Sequence, residues 1–184
     1  MTLDKSAPLA ALHADFRATG TTSMPIAGMV CWAALFVAAL YLPERTVGTL
    51  ALYIMMGILP LAFLLDRAQG RNLFSGGSNP LVRLFLLSVL GIAVTVPAIL
   101  LGAQAAREPD LVVLGMAILA GVIWIPYGWA AEDKVGVIHA VGRAIGCYAA
   151  YALVDEPYRA SAICAVVVVS YLYSLVFMRK IGDA

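Results

Sequence analysis

The sequence predicts an all-α membrane protein, a polytopic bundle of six transmembrane helices with a short amphipathic N-terminal helix. Composition is the first reason: 62% of the 184 residues are hydrophobic and 12% are charged, while soluble domains are about half apolar and about a quarter charged. The mean hydropathy of +0.92 agrees with this class. Pattern is the second reason, because six continuous apolar runs each approach the length that spans about 30 Å of hydrocarbon. None of them alternates like a barrel strand.

Residues 1–23 are predicted to form a cytoplasmic lead-in. Between Ser6 and Gly20, the side chains of Leu9, Leu12 and Phe16 share one helical face, and the charged residues lie on the other faces. This pattern is typical of a short helix on the membrane surface. The segment lacks an apolar core long enough for a secretory signal, so we expect no cleavage.

Residues 24–178 are predicted to form one transmembrane domain, and residues 179–184 a cytoplasmic tail. The six apolar runs cover residues 24–42, 47–65, 81–102, 111–131, 135–154 and 160–178. Most connections are short turns that contain proline and charged residues, and proline ends helices. The connection from Asp66 to Pro80 is longer, and its glycine and serine residues predict a flexible polar loop.

The distribution of lysine and arginine predicts the orientation, because basic residues near helix ends stay preferentially in the cytoplasm. With the N-terminus inside, the cytoplasmic side holds eight of them: Lys5, Arg17, Arg67, Arg71, Arg83, Lys134, Arg179 and Lys180. The opposite side holds three: Arg45, Arg107 and Arg159. We therefore expect both termini in the cytoplasm.

Several classes of function leave no pattern in this sequence. The formal charge is +1 and the basic residues are scattered among helix ends, so the footprint of a nucleic-acid-binding protein is missing. Cys31, Cys147 and Cys164 lie in apolar runs without neighbouring ligands, which predicts packing residues and no metal site. No catalytic triad, pair of intramembrane carboxylates or phosphate-binding loop is present. We expect no cofactor, and no motif favours an enzyme.

The fourth apolar run ends in an aromatic segment, Trp124-Ile125-Pro126-Tyr127-Gly128-Trp129. One interpretation is an aromatic belt, since Trp and Tyr favour the membrane–water interface. The other begins with Pro126, which cannot donate a hydrogen bond to the carbonyl of Val122 and so leaves a free acceptor inside the helix. A bent, aromatic-lined helix end can form the wall of a binding pocket.

The fifth apolar run carries the only arginine placed well inside a run, Arg143, and His139 lies four residues before it on the same face. Gly142, Gly146 and Ala150 form an adjoining stripe of small residues, which predicts close helix packing. We therefore expect this face to pack against protein. The same stripe is the surface through which a partner helix could dock.

Arg143 has three possible roles. Its long side chain can reach toward the cytoplasmic interface, as arginines near helix ends do. It can form a structural ion pair with an acid from the cytoplasmic end, namely Asp66, Glu132 or Asp133. It can otherwise bind an anion, because a guanidinium matches carboxylate and phosphate groups. His139 is then either a proton-exchanging group or a packing residue.

Several short motifs are distributed along the chain: Trp32, Leu42-Pro43, Gly57-Ile58-Leu59-Pro60-Leu61-Ala62, Asn79-Pro80-Leu81, Pro97, Gly121 and Ile125-Pro126-Tyr127-Gly128-Trp129. With these motifs the chain resembles, over about residues 25–178, a family of small bacterial integral membrane proteins whose function is unknown. The resemblance implies a six-helix protein of the bacterial inner membrane. It implies no activity, substrate or catalytic residue.

Taken with the motifs, the residue pattern favours a small carrier or ligand-binding bundle for a small anionic or amphipathic molecule. The cavity is expected between the second, fourth and fifth apolar runs, open to the cytoplasm. Its predicted ligand-binding residues are Arg143, His139, Tyr127, Trp124, Trp129, Asp66 and Glu132. The alternatives are a non-catalytic accessory protein that packs a partner through the glycine stripe and a lipid-modifying enzyme. Expected partners are the lipid bilayer, a small anionic solute or lipid, and a second copy of the chain.

Overall fold

The structure of the protein is a computed structural model that describes residues 7–19, 22–70 and 79–178. All regular secondary structure within these ranges is helical. In chain order the helices are α1 (Leu9–Thr19), α2 (Ser23–Ala39), α3 (Glu44–Ala68), α4 (Pro80–Ala106), α5 (Asp110–Val122), α6 (Trp124–Ala130), α7 (Lys134–Leu153) and α8 (Arg159–Phe177).

Within the described ranges, five segments are long and apolar enough to cross a membrane: α3, α4, α5 with α6, α7 and α8. The shorter α2 has 17 residues, and together with α1 it qualifies as a sixth, broken span. The prediction of an all-α membrane bundle is therefore confirmed. Each predicted run corresponds to one helix or, in the fourth run, to the pair α5 and α6.

Side chains that lie just outside the apolar runs determine where two of these helices begin. Asn79 precedes α4, and its side-chain oxygen accepts a hydrogen bond of 2.9 Å from the backbone N–H of Leu81. Asp133 does the same for α7, accepting a 3.0 Å bond from the N–H of Val135. Such caps satisfy donors that the first turn of a helix leaves free.

Successive spans run in opposite directions, so the bundle has two ends. We call the end that carries α1, residues 66–70 and residues 130–134 the near end, and the end that carries residues 40–44, 106–110 and 154–159 the far end. Helix α2 packs between α3 and α8, while α5 packs on α3, α7 and α8. Helix α4 packs on α5, α1 and α6 but hardly touches α3. This leaves an α3–α4 cleft, which opens sideways from the bundle.

Helix α1 confirms the predicted helix but not its predicted place on the membrane surface. Its residues Leu12 and Phe16 are buried against α4 and α6. Its His13 Nδ1 lies 2.8 Å from the carbonyl oxygen of Ala130, and the Asn79 side chain donates a 2.9 Å hydrogen bond to the carbonyl of Leu12. The apolar face of α1 therefore packs on protein, because the ends of α4 and α6 offer apolar contacts, an amide donor from Asn79 and a carbonyl acceptor from Ala130.

Three sequence-based predictions lie outside the described residues. They are the helix start near Ser6, most of the loop between Asp66 and Pro80, and the tail of residues 179–184.

Reporter fusions test the predicted orientation. A periplasmic-active reporter fused after residue 45, 107 or 157 should be active, because these positions lie at the far end and the basic residues favour the near end for the cytoplasm. A cytoplasmic reporter should be active at residues 75, 133 and 184. The opposite result at any two positions would contradict the expected topology.

Candidate functional site

The fourth predicted run is interrupted at Ile123, where α5 ends and α6 begins. Pro126 has no N–H to donate to the carbonyl of Val122, which removes the bond that would continue the helix. The next backbone bond resumes with Tyr127 N–H to the Ile123 carbonyl, at 3.3 Å. The predicted irregularity near Pro126 is therefore confirmed.

The interruption separates the three aromatic residues of this segment. Trp124 points inward and is 6% exposed, and Tyr127 is half-buried. Trp129 is 52% exposed and stands edge-on to His13, with ring centroids 5.0 Å apart. Helix α6 thus turns the Trp129 side chain toward the surface, and its role in ligand binding stays a prediction.

Arg143 of α7 is fully inside the bundle, with 1% of its surface exposed. Its guanidinium carbon lies 5.4 Å from the ring centre of Trp32 and 5.2 Å from that of Tyr171, so the cation contacts two aromatic faces. Gly121 makes room for it, since a Cβ there would stand 3.1 Å from Arg143 Cδ. Arg143 thus does not reach for the interface.

His139 lies beside Arg143, as predicted, and is 1% exposed. Its ring stacks on Trp124 with a centroid distance of 4.2 Å. His139 Nδ1 is 2.6 Å from Ser174 Oγ, and Nε2 is 3.4 Å from Arg143 Nη1. Because a guanidinium can only donate, Nε2 accepts and Nδ1 carries the proton. The structure therefore assigns one tautomer to this histidine.

One edge of the Arg143 guanidinium has no acceptor among the described residues. Nε and Nη2 are buried and make no hydrogen bond. Asp66, a predicted partner, is buried elsewhere in the described chain with both carboxylate oxygens also lacking hydrogen bonds. Glu132, the other predicted partner, forms a surface ion pair with Arg17 instead. Neither carboxylate therefore contacts Arg143 in this structure, and the ligand-binding role of Asp66 and Glu132 stays a prediction.

An apolar cavity of about 160 Å³ lies in the near half of the α3–α4 cleft. Its side walls are Met55, Ile58 and Leu59 of α3 and Phe85 and Val89 of α4. Three aromatic side chains form part of its inner wall, namely Trp124, Tyr127 and Tyr171. Phe16 of α1 lines the cavity at the near end. All residues that line the cavity are apolar or aromatic.

The cavity does not have the location expected from the sequence. The sequence predicts it between the second, fourth and fifth runs, which are α3, the pair α5 and α6, and α7. However, α7 contributes no lining residue. Instead the third run, α4, forms one wall, and Arg143 lies behind the inner wall. Trp124 and Tyr171 belong to both places, because each lines the cavity and contacts His139 or Arg143. Two aromatic rings thus separate an open apolar cavity from a buried cation.

The glycine stripe of α7 is only partly a packing surface. A Cβ on Gly146 would stand 2.7 Å from a methyl carbon of Val166 in α8, and Ala150 is buried. Gly142 is exposed, and a Cβ there would have no neighbour within 4 Å in the described structure, so its role in helix packing stays a prediction. Among the glycines of α7 the tightest approach is at Gly136, where a Cβ would collide with the carbonyl oxygen of Trp124 and stand 2.6 Å from Gly128 Cα of α6.

Sequence reasoning missed three residues of this site: Trp32 and Tyr171, which contact Arg143, and Ser174, which contacts His139. Tyr171 and Ser174 are three residues apart, which places them on one face of α8, and this spacing was the available signal. Trp32 stood out only as a motif residue. Among the described residues no group of three histidine, cysteine or acidic side chains could hold a metal ion.

A helical bundle with five or six apolar spans and a buried arginine beside a lateral cavity defines a polytopic α-helical membrane protein. Comparison with known proteins agrees with this class. The chain belongs to a family of unknown function (DUF7010), whose model matches residues 10–180. Neither a curated protein nor a solved structure matches the chain.

Proposed function

We propose that the protein is a small carrier or ligand-binding protein of the bacterial inner membrane and that its ligand is a small anionic amphipath. The anionic group binds Arg143, and the apolar part occupies the cavity in the near half of the α3–α4 cleft. The observation that carries this proposal is the buried guanidinium edge of Arg143, whose Nε and Nη2 have no acceptor in the described part of the chain.

An arginine inside the membrane is costly, by about 2.5 to 3.5 kcal/mol on insertion scales, and such residues commonly mark binding sites or pathways. The two aromatic rings around Arg143 offset part of this cost. They do not replace a hydrogen-bond acceptor. An anion supplies both the opposite charge and the missing acceptors.

The free edge has the geometry that a carboxylate requires. Nε and Nη2 point in the same direction, and a carboxylate accepts from such a pair with two parallel bonds. His139 Nε2 already accepts from the third nitrogen, Nη1. The histidine therefore orients the guanidinium so that its remaining edge is available.

The cavity supports an apolar ligand part of limited size. Its 160 Å³ is close to the roughly 150 Å³ of an engineered apolar cavity that holds benzene. Because it opens between α3 and α4, a ligand dissolved in the membrane can enter sideways. Binding to Arg143 requires movement of the Tyr171 or Trp124 ring, since these side chains lie between the cavity and the cation.

The accessory-protein alternative depended on a glycine stripe that packs a partner. Gly146 instead packs on α8 of the same chain, which leaves Gly142 as the stripe residue that is open to a neighbour. The stripe as a whole is therefore not free to pack a partner helix.

Decanoate, with decanol as its uncharged counterpart, tests the proposal on purified protein in detergent micelles. Binding is followed by tryptophan fluorescence, since Trp124 lines the cavity and Trp32 contacts Arg143. The protein should bind decanoate more tightly than decanol. Arg143→Lys keeps the charge but loses the two-bond edge, so we expect about tenfold weaker decanoate binding.

Arg143→Leu should remove the preference for decanoate while leaving the melting temperature equal or higher, because an apolar side chain has no desolvation cost. Arg67→Leu, on the exposed near end of α3, is the control and should keep the preference. A preference for decanoate that survives Arg143→Leu would overturn the proposed function.

A further inference from the structure

We infer that the far half of the α3–α4 cleft is a separate binding site for an anionic phospholipid, whose phosphate is held by Arg45 and Arg107. This far-end groove has a volume of about 560 Å³. It is lined from α3 by Arg45, Thr49 and Leu52, and from α4 by Leu100, Gln104 and Arg107.

The groove exists because α4 stands away from α3 while both pack on α5. Its floor is the contact between α3 and α5, where a Cβ on Gly48 would stand 3.2 Å from the carbonyl oxygen of Pro109 and 3.6 Å from Val112 Cβ. A larger residue than glycine would lift α3 from this floor. The groove is therefore walled on three sides by protein and open on the fourth to the membrane.

Charge is distributed along the groove as a phospholipid requires. The arginines lie at the water-facing mouth, and the leucines lie deeper, toward the hydrocarbon. Within the described ranges neither Arg45 nor Arg107 forms an ion pair, whereas Arg17 and Arg159 do. The one carboxylate at the groove, Glu108, is engaged by Arg159 and by the hydroxyl of Tyr151. Both arginines thus remain available for a phosphate.

The backbone at Arg107 adds an independent observation. This residue ends α4 in the left-handed conformation, with φ of 59°, a position where glycine is strongly favoured. Arginine there carries a conformational cost that glycine would not. Arg107 lines the groove, and a strained backbone is often retained for function. Its conformation therefore supports a role of this side chain in binding.

The length of the cleft fits an acyl chain. Arg45 and Leu59 both face it and are 14 residues apart on α3, which corresponds to about 21 Å at 1.5 Å per residue. One leaflet contributes about half of a hydrocarbon core of about 30 Å. A lipid whose phosphate sits at Arg45 and Arg107 can therefore extend one chain along the cleft to the cavity.

Native mass spectrometry of the purified full-length chain tests this inference. The protein in detergent is titrated with dioleoyl-phosphatidylglycerol or with dioleoyl-phosphatidylcholine, which differ in net charge but not in acyl chains. Wild type should prefer the anionic lipid. Arg45→Gln and Arg107→Gly should each weaken its binding about fivefold and together about 30-fold, as expected for two arginines at a membrane surface.

Arg107→Gly separates lipid binding from folding, because glycine suits the left-handed position and the variant should melt no lower than wild type. The control is Arg67→Gln, which removes an exposed arginine from the opposite end of α3 and should leave the lipid preference unchanged. A preference that persists in the double variant overturns the inference. A similar loss in Arg67→Gln also overturns it, since any surface arginine would then serve.

The proposals for the phospholipid site and for the Arg143 site can be contradicted independently of each other. Decanoate binding depends on Arg143 and should be unaffected by Arg45→Gln and by Arg107→Gly. Phosphatidylglycerol preference depends on Arg45 and Arg107 and should survive Arg143→Leu.

Discussion

Gly136→Ala is expected to destabilise the bundle by about 3 kcal/mol. The added Cβ would collide with the carbonyl oxygen of Trp124 and stand 2.6 Å from Gly128 Cα. Both neighbours are backbone atoms, which cannot rotate away as a side chain can, so α6 must move from α7. Thermal or denaturant unfolding of the purified protein in micelles measures the loss.

Gly142→Ala is the matched control, because it makes the same change six residues later in the same helix. Gly142 has no described neighbour within 4 Å, and alanine is the better helix former, so this variant should be more stable by about 0.5 to 1 kcal/mol. Equal melting temperatures for the two variants would contradict the close contact of α6 with α7.

Trp32→Ala is expected to cost about 3 to 5 kcal/mol. Trp32 is fully buried in the core between helices, and its removal leaves a cavity that the surrounding helices cannot fill. The change also removes one of the two aromatic faces that contact Arg143, so a buried cation loses a favourable neighbour. The same unfolding measurement in micelles reports the change.

Trp129→Ala provides the comparison, because it removes the same side chain from an exposed position. Trp129 contacts the His13 ring and is 52% exposed, so we expect a loss of about 1 kcal/mol or less. A loss as large as that of Trp32→Ala would mean that α1 and α6 contribute far more stability than their contacts suggest.

The two proposed sites share one structural cause. Helix α4 packs on α5 and stands off from α3, which produces a cleft along both halves of the bundle. Its near half adjoins the buried Arg143, and its far half carries Arg45 and Arg107. A ligand that enters the near half therefore approaches a buried arginine, and a lipid that enters the far half meets two exposed arginines.

The burial of Arg143 with His139 followed from the sequence alone. A four-residue spacing puts both side chains on one helical face, and the cost of a charge in hydrocarbon turns that face toward protein. The interruption near Pro126 followed just as directly from a missing N–H. The polar capping residues Asn79 and Asp133, by contrast, were recognised as caps only in the structure, although both types are common there.

Residues distant in sequence determined what surrounds the arginine. Trp32 and Tyr171 come from α2 and α8, and no local pattern pairs them with α7. Asp66 and Glu132 were reasonable partners by charge, yet Glu132 lies nearer to Arg17 once α1 packs across the near end. No local sequence pattern pairs Arg17 with Glu132, because the two residues meet only when α1 packs across the near end.

The sequence by itself determined the class of protein, the number and rough bounds of the apolar runs, and the inward direction of Arg143, because each depends on the local cost of placing polar groups in hydrocarbon. Only the tertiary structure decided which small residues pack, so that Gly136 and Gly146 meet neighbours while Gly142 faces outward. It also decided that α4 stands away from α3. The physical reason is that lipid tails and neighbouring helices are equally apolar, so an apolar helix face does not reveal which of them it will contact.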